Sequence, residues 1–146
     1  MSDDYSTVFL WVSSDDKMNA ADTVTNYSVQ LQNRIDNPVS ADLVEVLIGP
    51  ASGFPSIMFI SSRALGQSTL SGKSTGAQRW WRVVPTNNSP STDVYAFYNP
   101  RMEYTPVYQP FLQNIDIQIT GADGTPIHPN YFGSISILVA VRVKRA

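Results

Sequence analysis

Apolar and polar side chains alternate with a period of two along much of this chain. Tyr27, Val29 and Leu31 alternate with Ser28, Gln30 and Gln32, and Ile115, Ile117 and Ile119 with Asp116, Gln118 and Thr120. That period belongs to an extended strand whose successive side chains face a core and water in turn. Runs of this kind predict about eight strands: Ser6–Ser13, Asn26–Gln32, Asp42–Ile48, Ser56–Ser61, Arg79–Pro85, Val94–Tyr98, Leu112–Thr120 and Ser134–Val143. Turn residues separate them, as in "DNP" at 36–38, "GPASGFP" at 49–55, "TNNSPSTD" at 86–93 and "GADG" at 121–124. Every proline from Pro50 to Pro129 falls at or outside an expected strand end, where a missing N–H costs no ladder bond. Only "SADLVEVL" has a helical reading, and its β-branched residues and flanking prolines favour a strand. The expected core takes Val29, Leu31, Ile115, Ile117, Ile119, Ile135, Ile137 and Val139.

Two runs break the alternation. "TVFLWV" and "VAVRV" are apolar on both faces, so each is expected to sit centrally or to press one face against another chain. Strands of this number and length predict an all-β fold, a single antiparallel jelly roll or β-sandwich filling one domain over residues 1–146. Leu65–Gln78, rich in Gly, Ser and Thr, is expected to be a long exposed loop.

Composition narrows the chemistry. The chain has 146 residues, no cysteine and one histidine. Disulfides, thiolate metal sites and cysteine nucleophiles are thereby removed, and a histidine-rich zinc site with them. A formal net charge of -2 gives no general pull toward nucleic acid. The charges are uneven, with Asp3, Asp4, Asp15, Asp16 and Asp22 early and Arg142, Lys144 and Arg145 late. They are either solvated ends or complementary surfaces for head-to-tail docking. The opening "MSDDYSTVFLWV" carries acids where a signal peptide needs bases, and no run approaches the length of a membrane span.

Motifs that carry catalysis do not emerge. "GQSTLSGKS" at 66–74 resembles a phosphate-binding loop, but five residues separate its glycines where four are needed, and the following "AQRWWRVV" reads as strand. His128 stands between Pro126 and Pro129, and no G-x-S-x-G elbow supplies a nucleophile. Glu45 and Asp116 lie in strands and Glu103 outside one, which fits polar faces better than a glycosidase pair. No enzymatic activity, cofactor or small-molecule substrate is expected. Trp80 and Trp81 must point to opposite faces of a strand, one into a core and the other to a surface or interface. With Arg79 and Arg82 they suggest a base-stacking platform, yet no basic groove accompanies them, and no nucleic acid is expected. Tyr95, Phe97, Tyr98, Tyr104, Tyr108 and Phe111 could line a sugar site or serve packing and subunit contact. Candidate interface residues are Trp11, one of Trp80 and Trp81, Tyr104 and Tyr108.

"STVFLWVSSDD", "NYSVQLQNRID" and "LVEVLIG" in order, then "FLQNIDIQITGADGTPI" and "GSISILVAVRV", carry a family resemblance. Over residues 7–60 and 110–143 the chain resembles the single jelly-roll penton, or minor capsid, proteins of virophages, polinton-like viruses and related large double-stranded DNA viruses. The resemblance implies two facing four-stranded sheets and a homo-pentamer at a capsid vertex in contact with the major capsid protein. It also implies a virion component made in the host cytoplasm or virus factory. The chain leaves no room for an inserted receptor-binding domain. A carbohydrate-binding β-sandwich and a cement protein elsewhere in a capsid are the competing expectations.

Overall fold

The computed structural model describes residues 4–49, 57–66, 69–70, 79–85, 95–121, 127 and 133–145. Among them the chain forms β1 (Tyr5–Ser13), β2 (Asn26–Asp36), β3 (Pro38–Ile48), β4 (Ile57–Ser61), β5 (Thr69–Leu70) and β6 (Arg79–Trp80). After these come β7 (Arg82–Pro85), β8 (Tyr95–Tyr98), β9 (Thr105–Pro106), β10 (Phe111–Thr120) and β11 (Ile135–Lys144). No α-helix occurs among the described residues, and the all-β expectation holds. Most strand boundaries fall within a few residues of those expected, with β2 extended to Asp36 and β3 back to Pro38, but the expected strand Arg79–Pro85 is broken at Trp81 into β6 and β7, which pair with different strands. Asn37 alone joins these two strands, and its φ of 55° is the left-handed conformation that Asn tolerates.

The strands make a sandwich of two antiparallel sheets. One has the order β1-β11-β3-β8, with β9 beside β8 on the same edge of β3. The other has the order β2-β10-β4-β7, and β5 and β6 form a separate small hairpin. The side-chain period of two explains why these residues fill the interior. Ile135, Ile137, Val139 and Val141 from β11 and Leu43, Val46 and Ile48 from β3 belong to the same buried cluster as Ile115, Ile117 and Ile119 from β10 and Met58 and Ile60 from β4. Burial of such a side chain contributes about 1.5–3 kcal/mol before entropy is counted. Of the expected core residues only Leu31 is half-buried and packed at the margin. Ile127 donates its N–H to Ile119 O at 3.3 Å, so the chain does come back alongside β10.

Two bulges shape β3. Its register against β11 slips between Leu138 and Val139, leaving Val44 as the extra residue, and between Arg142 and Val143, leaving Val39. The carbonyls of both extra residues find partners in the crossing segment: Val44 O accepts from Asn99 N–H and Val39 O from Val107 N–H, each at 2.9 Å. Bulges thus give the 99–107 segment its attachment to the sheet.

The two apolar runs separate here. "VAVRV" lies in β11, between β1 and β3, whereas "TVFLWV" lies in β1 at the end of its sheet. Of the expected loop Leu65–Gln78, Thr69–Leu70 instead forms a strand paired with β6, and residues 67–68 and 71–78 lie outside the described residues. His128 and the "GADG" turn beyond Gly121 also lie outside them.

Candidate functional site

Two side chains tie the sheets together at opposite margins of the sandwich. On β2, Tyr27 is buried and donates its hydroxyl to Val12 O on β1 at 3.0 Å. Burial foremost, with Asp15 adding to it, pushes its phenol well above its ordinary range. On the other side Arg82 shares the inward face of Ile60 and Val84, and its guanidinium meets the carboxylate of Asp42 on β3. Asp42 is fully buried. It accepts further from Leu43 N–H at 2.7 Å, Asn99 Nδ2 at 3.3 Å and Glu103 N–H. Arg82 also donates to Trp81 O, Ala41 O and Glu103 O. The pair therefore locks β7, β3 and the 99–105 segment together. Sequence reading missed it, because the partners lie forty residues apart, each looking like an ordinary polar strand position.

The carboxylates weighed for catalysis are dispersed. Asp116 accepts from Arg63 N–H, Ala64 N–H and Ser62 Oγ, holding the turn that follows β4. Glu103 faces Arg101 at 3.4 Å on the surface, and Glu45 lies on the outer face of β3. No group of three or more acids and histidines able to hold a metal ion exists among the described residues.

The aromatics suggested for a sugar site or a stacking platform do not converge either. Tyr95 and Phe97 pack at the core margin, Phe111 lies under the Arg34 guanidinium, and Tyr104 carries Arg142 stacked on its ring at 3.8 Å. Trp81 is in the core, and Trp80 packs on Phe59 at a centroid distance of 4.4 Å with only 6% of its surface exposed. In the single chain neither ring of this pair is exposed. Trp80 lies outside the core cluster, and its ring is covered by packing that includes Phe59.

What the fold does present is the outer face of the larger sheet. Registers align Trp11, Leu138, Glu45 and Tyr98 in one row from edge to edge. A second row holds Thr7, Arg142, Ser40 and Pro106. Phe9 is 62% exposed, Trp11 45% and Tyr98 66%. These rings stand on the two outer strands of the sheet, and the carboxylate of Glu45 is the one charge in the row between Trp11 and Tyr98. Tyr108, at 86% exposure, stands apart on the 107–110 connection. Of the named interface candidates, then, Trp11 and Tyr108 are open and Tyr104 is half-buried under Arg142. Phe9, exposed here, was not among the aromatics singled out in the sequence, whereas Tyr98 was named there only within a wider group. Their placement depends on which strands become edges, which local sequence does not carry.

A groove of about 460 Å³ opens beside the first half of β10, lined among others by Arg63, Gln109, Phe111, Gln113 and Asn114. It exists because β4 pairs with β10 only from Gln118 to Thr120. Neither a family model nor a curated protein matches this chain.

Proposed function

We propose that this protein is a structural shell component: a penton, five copies of which close into a ring at the vertices of an icosahedral double-stranded DNA virus capsid and abut the major capsid protein. The observation that carries the reading is the outer face on which Phe9, Trp11 and Tyr98 are exposed. An apolar sheet face of this kind is a liability for a lone molecule and an asset for one that is covered by neighbours. The sheet orders β1-β11-β3-β8 and β2-β10-β4-β7 support a jelly roll, since each large strand is followed in sequence mostly by one in the other sheet. Resemblance of residues 7–60 and 110–143 to penton proteins supplies the vertex position. Native mass spectrometry of the purified chain tests the ring. A species near 80 kDa, five times 16.1 kDa, is expected, and a monomer at every concentration contradicts it.

The groove beside β10 favours one second reading, a carbohydrate-binding module using the amides of Gln109, Gln113 and Asn114 beside the ring of Phe111. Glycan-array binding by the monomer, lost in Asn114→Ala, supports that reading over the first.

A further inference from the structure

The edge of β1 is built without the devices that keep sheet edges apart. Its nine residues, "YSTVFLWVS", contain no charge, no proline and no glycine. Its nine pairs with β11 run from Tyr5↔Lys144 to Ser13↔Ser136 without a bulge. Among the described residues no strand pairs with its other side. Native edges are normally blunted by lysine, proline, bulges or short length, because a long flat one recruits another strand. This one is long, regular and rich in β-formers.

Resting on the ring reading above, we infer that β1 pairs edge to edge with β8 and β9 of the next copy, so that the larger sheet continues across the subunit boundary. The direction of the strands permits it. All neighbours in the order β1-β11-β3-β8 are antiparallel, so β8 runs opposite to β1. A copy set beside the first in the same orientation therefore offers β8 antiparallel to β1, and outer face meets outer face. Such a contact is head to tail, as a cyclic ring requires.

Height along the sheet fixes the register. Trp11 and Tyr98 are the two ends of one row, and Ser13 and Ala96 the ends of another. Thr7 and Pro106 end a third, and Val8 and Thr105 a fourth. Copies at equal height thus place Trp11 beside Tyr98 of the next copy and Thr7 beside its Pro106. The long β1 matches in length the composite edge of β8 and β9. Two exposed aromatic rings meet at the centre of the joint, a cross-strand pairing that stabilises sheets. Pro106 withholds one donor, so the ladder is strongest along β8.

The chain contains no cysteine, which makes the joint directly testable. Trp11→Cys and Tyr98→Cys proteins are each assembled alone and as a mixture, then oxidised. Both positions are exposed, so the variants are expected to fold, and far-ultraviolet circular dichroism checks this. The inference predicts a covalent dimer in the mixture and in neither variant alone. It also predicts that amides of residues 5–13 exchange hydrogen slowly in the ring and faster in dissociated chains. A dimer from Trp11→Cys alone means that β1 pairs with its own copy across a two-fold axis, and overturns the inference. Rings without a mixed dimer and with fast exchange in β1 overturn it too, while leaving the ring reading intact. If wild-type protein forms no ring under any condition, the ring reading itself fails.

Discussion

Asp42 and Arg82 show how much one buried pair holds. Arg82 Nε meets Asp42 Oδ1, with side-chain exposures of 12% and 0%. Removing the cation leaves a buried carboxylate with only neutral donors, so Arg82→Met is expected to cost about 3–5 kcal/mol in urea unfolding. Adding Asp42→Asn to that variant removes the orphaned charge while keeping acceptors for Asn99 and Glu103, and recovers part of the loss. A charge introduced elsewhere in the core acts alike. Ile117 is fully buried, and Ile117→Asp is expected to unfold the domain, whereas Gln118→Asp on the opposite face is tolerated. Equal effects on circular dichroism would contradict the register of β10. Tyr27 sets a pH dependence. Its folded phenol titrates above the unfolded value of about 10, so its contribution is complete below that pH and is lost as pH climbs past it. Tyr27→Phe is expected to cost about 1 kcal/mol at neutral pH and to flatten the alkaline fall in melting temperature.

Strands obey a local rule, and their partners do not. The runs around Tyr27 and Ile117 were legible because the period of two is written in consecutive residues, and the turn at Asn37 because its residues suit a left-handed link. The bulges at Val39 and Val44 were not legible, since each depends on a crossing segment some fifty to seventy residues away that accommodates its carbonyl. Nor was the edge position of β1. "TVFLWV" and "VAVRV" carry the same apolar signature, yet one is flanked on both sides and the other on one. The covering of Trp80 by Phe59 was hidden for the same reason. Element identity therefore gives a sharp test. Phe9→Lys places a charge on the open face of the edge strand, where it costs the fold about 0.5 kcal/mol or less. It is expected to leave the melting temperature of the monomer nearly unchanged and to abolish assembly. Loss of folding in that variant would mean that Phe9 belongs to a core.

At the scale of the whole molecule, the two sheets use their faces differently. The inner faces share one apolar cluster, and the outer face of the larger sheet carries aromatic rings out to both margins. A molecule arranged this way gains by being surrounded, and the five-fold closure proposed above would cover its edges without leaving a free end for open-ended growth. The most direct test is an electron-microscopy reconstruction of particles purified from cells that express this protein, with density at each vertex compared with the sandwich. Five copies of the fold are expected around every five-fold axis, each touching the surrounding major capsid protein. Density for the fold only at two-fold or three-fold positions, or particles that lack the protein altogether, would contradict it.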